Sequence, residues 1–273
     1  MKKVLSFMVA LVAILTLVAC QNERSNDTLI VGLEADYAPF NWLETTRTDY
    51  NYPLSGTNNF VAGYDVDIAI ALAEALDMPL EIKAITWSSL IPALESNEID
   101  IIIAGMSPTA DRLEVINFTN SYYEANHVAV VKTDSAYANV TALSGLNGAR
   151  GIGQIGTIYA DIIEGLGETH GVTVLPVADT VPLIAQQIIG GNADFTVVEA
   201  PVAQGLVAAY PSLKMLFNDV HNIFGVSDDD RIVSIGYRKA DTDLGTQLNA
   251  ALATIDQATR SAWMAAAVTR SAA

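Results

Sequence analysis

The stretch that decides the fold is GYDVDIAIALAEAL, residues 63–76. Apolar residues recur within it at helical spacing and predict a helix over Val66 to Leu76; they are Ile68, Leu72, Ala75 and Leu76. The apolar run from Leu80 to Ile85 follows directly and predicts a strand. A helix that feeds a short strand is the repeating unit of α/β proteins, so this stretch predicts that class.

The same alternation extends in both directions from this stretch. Residues 28–33 predict a first strand, and further strands are predicted over 99–104, 127–132, 150–155, 172–177 and 194–198. Helices are predicted over 90–95, 159–166, 181–189 and 201–210, with one terminal helix over 241–267. Polar residues 44–60 predict a surface loop. The whole pattern indicates an α/β fold with mostly parallel sheets.

The composition excludes several function classes. The chain has 273 residues, of which 51% are hydrophobic, enough for one large or two mid-sized domains. Its 14 Lys and Arg against 31 Asp and Glu give a net charge of −17, so we predict no nucleic-acid partner. One Cys excludes an internal disulfide, a Cys-rich zinc site and an iron–sulfur cluster. The three His show no metal-ligand spacing, and we predict neither a metal nor a cofactor.

The N-terminus predicts where the protein is located. Lys2 and Lys3 precede the apolar, uncharged run Val4 to Ala19, which is typical of a secretory signal over residues 1–19. The run ends in Leu-Val-Ala-Cys, which resembles the lipidation signal of bacterial lipoproteins and implies that Cys20 carries lipid. An ordinary signal peptide with a chance Cys is the alternative. With residues 20–27 as a lipidated tether, we expect an extracytoplasmic protein on the outer face of the cytoplasmic membrane.

A glycine motif at residues 151–156 offers two interpretations. It spells G-x-G-x-x-G and is followed by Asp179, as in dinucleotide-binding folds. A loop, however, precedes its first Gly, where that motif needs a buried strand. We therefore favour a strand over Arg150 to Ile155, a turn at Gly156-Thr157 and a helix from Ile158, whose free N–H groups suit a small anion such as a carboxylate.

The deciding stretch also carries a family resemblance. Residues 63–68, with the apolar residues after them, resemble the signature of the polar-amino-acid family (family 3) of bacterial extracellular solute-binding proteins, the receptor subunits of ABC importers. Stretches 32–40, 100–123 and 193–201 match in the same order, so the resemblance covers roughly residues 28–260. For Asp65 and Asp67 we expect helix N-capping rather than a place in the site.

The resemblance implies a periplasmic-binding-protein-like fold of type II, in which two α/β lobes are joined by two crossing hinge segments. We place lobe I at residues 28–131 and 235–273, and lobe II at residues 132–234. The crossings then lie near Val131-Lys132 and Ser234-Ile235. A ligand that bridges both lobes closes the hinge.

The segment Gly105 to Arg112 carries the chemistry of the first lobe. It leaves a predicted strand at its carboxyl end, where open α/β sheets bind ligands. An Arg fork binds a carboxylate bidentately. The resemblance implies that Arg112 clamps the ligand carboxylate, that Ser107 bonds the ligand and that the Gly105 carbonyl accepts from the ammonium. The alternative for Arg112 is a surface ion pair with Asp111 or Glu114.

The resemblance also implies the opposing wall. Thr157 and the Ile158 backbone correspond to a turn that donates to the ligand carboxylate from the second lobe. The family usually has an Asp that holds the ligand ammonium, and this chain has Glu199 at that position. Glu keeps the charge but reaches one methylene further; the alternative is a solvated acid at a helix start.

Three residues point to the ligand side chain. Tyr37 and Trp87 match positions where the glutamine-binding relative sandwiches its ligand, and flat aromatic faces favour an amide or a cation. Glu34 matches an acid that bonds the side-chain head in relatives. The alternative is that both aromatics belong to the core, and Asp36 and Gln154 stay open as further contacts.

We therefore expect a monomeric, non-enzymatic receptor. It would bind a basic or amide L-amino acid and deliver it to an ABC permease. The alternatives are a secreted lyase resembling cyclohexadienyl dehydratase on the same fold, a lipoprotein that presents ligand to a sensor, and an adhesive lipoprotein without binding. A nucleophile–base pair, which an enzyme reading would need, is not visible in the sequence.

Overall fold

The computed structural model describes residues 28–272. The predicted signal peptide, the tether and Cys20 lie outside the described residues. Within them, no helix combines the length and the apolar composition that crossing a bilayer requires.

The described chain alternates strands and helices. In chain order the strands are β1 Leu29–Leu33, β2 Asp36–Tyr37, β3 Asn41–Glu44, β4 Asn51–Pro53, β5 Phe60–Ala62, β6 Leu80–Ala84, β7 Ile101–Ile102, β8 Ile116–Glu124, β9 His127–Lys132, β10 Arg150–Gly151, β11 Thr173–Val174, β12 Phe195–Glu199, β13 Leu213–Leu216 and β14 Ile232–Arg238. The helices are α1 Tyr64–Ala75, α2 Leu90–Glu95, α3 Ala110–Val115, α4 Ile158–His170, α5 Val181–Ile189, α6 Ala200–Ala209, α7 Asp228–Arg231, α8 Thr242–Leu252 and α9 Gln257–Ser271.

Each lobe is built on its own five-stranded sheet. The first sheet has the order β6-β1-β7-β14-β8, in which β1 runs parallel to β6 and β7 while β14 is antiparallel to β7 and β8. The second sheet has the order β11-β10-β12-β9-β13, with β9 antiparallel to its neighbours. A small antiparallel sheet, β2-β3-β5-β4, belongs to the first lobe. The predicted two-lobed α/β fold is confirmed.

The chain crosses between the two sheets twice. Strand β8 ends at Glu124 in the first sheet, and β9 begins at His127 in the second. The return runs between β13 and β14, across residues 217–231. Both changes of sheet come earlier in the chain than the crossings predicted at residues 131–132 and 234–235. The sequence of the apolar run 127–132 does not show which lobe this strand belongs to, so the first crossing was predicted after the strand instead of before it. The exact lobe boundaries stay a prediction.

Helix α1 is the centre of the first lobe's core. Of the apolar residues whose spacing predicted it, Ile68 and Leu72 are fully buried, Leu76 is half-buried as the C-cap residue, and Ala75 is exposed at the end of the helix. The expected capping by Asp65 and Asp67 is wrong, because the N-cap residue is Gly63 and no side chain caps the helix. Asp65 is itself fully buried, while Asp67 forms an ion pair with Arg270 at 3.6 Å.

Two further segments differ from the sequence-based expectation. Residues 44–60 contain strand β4 and close on the edge of the first sheet, where Ser55 N donates to Ile82 O at 2.8 Å. The terminal helix is broken into α8 and α9, because Asp256 caps a new helix by accepting from Thr259 N at 2.7 Å. Helix α9 packs on α1 of the first lobe and on α6 of the second.

Among the described glycines, Gly63 leaves the least room for a side chain. Its φ of +136° and ψ of 175° lie in a region that is essentially confined to glycine. A Cβ at this position would lie 2.1 Å from the carbonyl oxygen of Phe40. The glycine therefore lets α1 start directly against the turn that precedes β3.

We predict that Gly63→Ala lowers the free energy of unfolding by at least about 3 kcal/mol, because it adds a backbone clash to a forbidden φ. Gly56→Ala is the matched control, since Gly56 also has a positive φ of +73° but has no atom within 4 Å of its Cβ position. We expect about 1 kcal/mol there. Urea unfolding followed by circular dichroism measures both, and equal losses would contradict the steric argument.

Candidate ligand-binding site

The site lies where the carboxyl ends of the parallel strands of both lobes face each other. Glu34 directly follows β1, and Gly105 lies just beyond β7. On the opposite side, Thr157 is the N-cap residue of α4, while Glu199 ends β12 and is the N-cap residue of α6. Loops at this edge carry the ligand contacts in open α/β sheets, so the topology brings these side chains together.

A narrow cavity separates the two walls. Its lining consists of Glu34, Tyr37, Trp87, Gly105, Ser107, Arg112, Gln154, Thr157, Ile158 and Tyr159. Every predicted ligand-binding residue except Glu199 therefore lines one cavity. The cavity volume is only about 10 Å³ and direct hydrogen bonds join its two walls, so the two lobes lie closed on each other.

Arg112 and Trp87 connect the first lobe to the second. The Arg112 guanidinium donates to Ser107 O at 2.8 Å within its own lobe and to Gly156 O at 3.0 Å across the cleft. Trp87 Nε1 donates to the same Gly156 carbonyl at 3.1 Å, and the guanidinium lies 5.1 Å from the centroid of the Trp87 ring. Trp87 is half-buried and packs against the core, while Tyr37 is buried within the core, and both rings also line the cavity. Their role toward a ligand therefore stays a prediction.

Glu199 lies behind the cavity lining, 1% exposed. One of its carboxylate oxygens, Oε2, accepts a hydrogen bond from the Tyr37 hydroxyl, and the Tyr159 hydroxyl lies 3.3 Å from that of Tyr37. Oε1, the second oxygen, is buried and has no hydrogen-bond partner among the described residues. Burial raises the pKa of the Glu199 carboxyl, although hydrogen bonds from Tyr159 and Tyr37 oppose that shift. The alternative of a solvated helix-start acid is therefore wrong.

Glu34 and Gln154 form the second carboxylate contact across the cleft. Gln154 Nε2 lies 2.9 and 3.1 Å from the two carboxylate oxygens of Glu34 and 3.0 Å from the backbone oxygen of Asp179. Burial raises the pKa of Glu34 from 4.5 to about 7, and the Gln154 hydrogen bond only partly offsets it. Asp36, the competing acid, is exposed and does not line the cavity.

Backbone geometry fixes the remaining polar groups. Gly105 has a φ of +61°, and a Cβ there would lie 2.9 Å from the Tyr37 ring. The Ser107 hydroxyl donates to Asp230 O at 3.1 Å, in the segment that returns to the first lobe. Thr157 Oγ1 donates to Gln154 O at 2.8 Å, and helix α4 begins at Ile158 as predicted. The segment 150–157 is thus a short strand and turn that lead into a helix start.

Sequence reasoning missed Tyr159 and left Gln154 open. Tyr159 lies on a correctly predicted helix, but helical periodicity marks it only as buried and does not distinguish a cavity wall from the core. His127, on the strand paired with β12, packs its ring 5.5 Å from that of Tyr159 and is a packing residue. Within residues 28–272, no group of three or more His, Cys, Asp or Glu could hold a metal ion.

The fold and the site define a two-lobed binding protein with a polar cleft between its lobes. Residues 29–265 match the family model of bacterial extracellular solute-binding proteins, family 3. The chain belongs to this family.

Its relatives are similar along most of their length. The chain is 30% identical over 261 residues to the arginine-binding extracellular protein ArtP of Bacillus subtilis, covering 92% of each chain. The structure of holo ArgBP from T. maritima is 30% identical, with a TM-score of 0.69 and coverage of 86% of this chain and 94% of that one. An amino acid ABC transporter substrate-binding protein from Streptococcus pneumoniae bound to L-arginine has a TM-score of 0.77 at 23% identity, covering 91% and 98%, which supports the fold.

The raised pKa of Glu34 predicts how the stability of the ligand-free protein depends on pH. With a pKa of about 7 when folded against 4.5 ordinarily, the folded state binds more protons than the unfolded state between these values. The stabilisation is therefore complete below pH 4.5 and is lost as the pH rises through 7, at up to about 1.4 kcal/mol per pH unit. We expect Glu34→Gln to reduce this slope.

Urea unfolding at several pH values between 4.5 and 7.5 measures the slope. Burial also raises the pKa of Asp65 to about 7 and that of Asp67 to about 6, so part of the slope remains in the variant. Glu95→Gln, at an exposed position on α2, is the control and should leave the slope unchanged. An identical slope in wild type and Glu34→Gln would show that Glu34 does not hold the extra proton.

Proposed function

We propose that this protein is an extracytoplasmic receptor for a cationic L-amino acid, with arginine as its preferred ligand. The observation that carries the proposal is the charge pattern of the cavity. One guanidinium, Arg112, and one buried carboxylate, Glu34, line the cavity. A second buried carboxylate, Glu199, lies directly behind the lining and accepts a hydrogen bond from Tyr37.

Charge balance selects among the amino acids. Burial raises the pKa of Glu34 to about 7, so a cationic side chain beside this carboxyl favours its ionised form. With both carboxylates ionised in this way, the three side chains sum to −1. An amino acid with a neutral side chain leaves that charge in the buried site, whereas a cationic side chain brings the total to zero. Because an uncompensated charge in a closed, poorly solvated cavity is costly, the site favours arginine over glutamine.

Each ligand group then has a partner. Arg112 binds the carboxylate, giving up its contact with the Gly156 carbonyl, and the turn at Thr157 and Ile158 adds its free N–H groups. The ammonium pairs with Glu199, whose Oε1 is without a partner among the described residues, and with the Gly105 carbonyl. The ligand guanidinium lies between the faces of Tyr37 and Trp87 and reaches Glu34, all three of which line the cavity. A cationic ligand agrees with the name of an arginine-binding relative.

Ligand capture requires motion of the lobes. The closed cleft has too little space for an amino acid, so the lobes must separate for entry and close again around the ligand. The two crossings, at residues 125–126 and 217–231, are the hinge segments of this proposal. We propose that the closed, liganded form delivers the amino acid to an ABC permease, that the receptor is monomeric, and that it does not turn its ligand over, because the relatives reported above are binding proteins.

We predict that L-arginine raises the melting temperature of a protein comprising residues 28–272 and that Arg112→Ala abolishes this rise. At a hundredfold excess over Kd, a ligand adds about 2.7 kcal/mol to stability. A thermal-shift screen of the twenty L-amino acids, followed by titration calorimetry, measures it. Glu34→Gln should weaken arginine binding more than glutamine binding.

Arg47→Ala is the matched control for the loss of an arginine, because Arg47 lies in the segment 44–60 and does not line the cavity. It should retain the arginine-induced shift. Stabilisation by no amino acid, or an undiminished shift in Arg112→Ala, would contradict the proposed site. Release of a chemically altered amino acid, detected by mass spectrometry, would support the lyase alternative instead.

We also propose that the body is held at the outer face of the cytoplasmic membrane by lipid on Cys20, following the predicted signal over residues 1–19. Cys20→Ser should then move the protein from the membrane fraction to the extracytoplasmic soluble fraction in a bacterial host. Cys20 is the natural choice for the test because the chain has one Cys. Equal membrane association of both forms would contradict lipid anchoring.

A further inference from the structure

Asp65 is a fully buried carboxylate outside the ligand cavity. It lies in the first turn of α1, where an acid interacts favourably with the helix dipole, but it does not cap the helix, so capping does not explain its complete burial. Burial raises its pKa to about 7. A group that costs stability to bury has to be explained by its partners.

Both oxygens of Asp65 have a partner. Oδ1 accepts a hydrogen bond from the Tyr122 hydroxyl at 2.6 Å. Oδ2 accepts from Asn41 Nδ2 at 2.7 Å. The two donors come from β8 and β3, so one carboxylate joins elements that are distant in sequence.

Each partner in turn holds a backbone segment that lines the cavity. The Tyr122 hydroxyl accepts from Gly105 N at 3.2 Å, at the start of the segment that leads to Ser107 and Arg112. Asn41 Oδ1 accepts from Ala35 N at 2.7 Å, in the turn between Glu34 and Tyr37.

Both segments contain a left-handed backbone conformation. It is unfavourable at Ala35, with a φ of +63°, because this residue carries a side chain, whereas Gly105, with a φ of +61°, adopts it without strain. Gly105 also lies so close to the Tyr37 ring that a methyl group would not fit between them. Small rotations of either peptide would therefore change the shape of the cavity wall.

We propose that Asp65 is a positioning residue for ligand binding, acting through Tyr122 on Gly105 and through Asn41 on the Glu34–Tyr37 turn. This inference rests on the proposed function, in which the Gly105 carbonyl accepts from the ligand ammonium. A carboxylate suits the role because it offers two acceptor oxygens at once, whereas an amide offers one acceptor and one donor. The Tyr122 hydrogen points to Asp65, which leaves its oxygen free to accept from Gly105 N.

Tyr122→Phe tests the arm that leads to Gly105, and Tyr64→Phe is its matched control. Both rings are buried and stacked with centroids 5.8 Å apart, and each variant removes one hydroxyl. The Tyr64 hydroxyl donates to Tyr122 O at 2.8 Å and makes no contact with a cavity segment. We expect the melting temperature to fall more in Tyr122→Phe, which leaves Asp65 Oδ1 and Gly105 N without this partner, than in Tyr64→Phe, which removes one bond to a carbonyl. The Kd for L-arginine should rise about tenfold in Tyr122→Phe alone.

Comparing the binding of two ligands distinguishes a positioning role of Asp65 from a purely structural one, because a general loss of stability would not change the ratio of their Kd values. The 2-hydroxy analogue of L-arginine lacks the ammonium, so the ratio of its Kd to that of L-arginine reports the contact with Gly105 and Glu199. Calorimetry should show this ratio reduced in Tyr122→Phe and unchanged in Tyr64→Phe. An unchanged ratio in both variants, with wild-type binding intact, would overturn the inference and leave the proposed function standing.

Amide hydrogen exchange gives a second measurement that needs no ligand. The Gly105 amide should exchange faster in Tyr122→Phe and in Asp65→Asn than in wild type or Tyr64→Phe. Equal exchange in all four proteins would overturn the inference. Should Tyr122→Phe fail to fold, Asp65→Asn carries both measurements, since it keeps the volume and removes one acceptor. Failure of the wild type to bind any amino acid would instead contradict the proposed function, and the inference with it.

Discussion

A carboxylate removed from water needs hydrogen-bond donors around it, and in this cleft each lobe supplies the donor that the other lobe's carboxylate needs. Glu34 of the first lobe accepts from Gln154 of the second, and Glu199 of the second accepts from Tyr37 of the first. The closed arrangement thus satisfies groups that an open cleft would leave to water. Packing around the two sheets serves to hold these four side chains opposite each other.

In the closed cleft, the Gly156 carbonyl is the acceptor that a ligand carboxylate would replace under the proposed function. It accepts from both Arg112 and Trp87, and thereby occupies the guanidinium that a ligand carboxylate would claim. A ligand gains on binding only the difference between its own contacts and those it replaces. A charged carboxylate is a stronger acceptor for the guanidinium than a peptide carbonyl, so the exchange favours the liganded state.

Periodicity predicted the fold class, because the spacing of apolar residues reports which faces of helices and strands are buried. Most of the cavity wall, including Trp87, was predicted through the family resemblance, and position after a strand supported it only for the loop of Arg112 and the turn at Thr157. Tyr159 was missed because a helix pattern shows that a face is buried without showing what it faces. Asp65 was misinterpreted because an acid in a first helical turn ordinarily caps it, and only the distant partners Asn41 and Tyr122 reveal otherwise.

Glu199, at a position where the resemblance implied an Asp, shows why a matched motif does not fix geometry. The longer side chain begins at the N-cap position of α6 and brings its Oε2 to the hydroxyl of Tyr37 in the other lobe. Its Oε1 stays buried without a partner among the described residues. A buried acceptor without a donor is unfavourable. Under the proposed function an ammonium would donate to this oxygen, so part of the affinity for an amino acid would originate in the cost of leaving Glu199 half-paired.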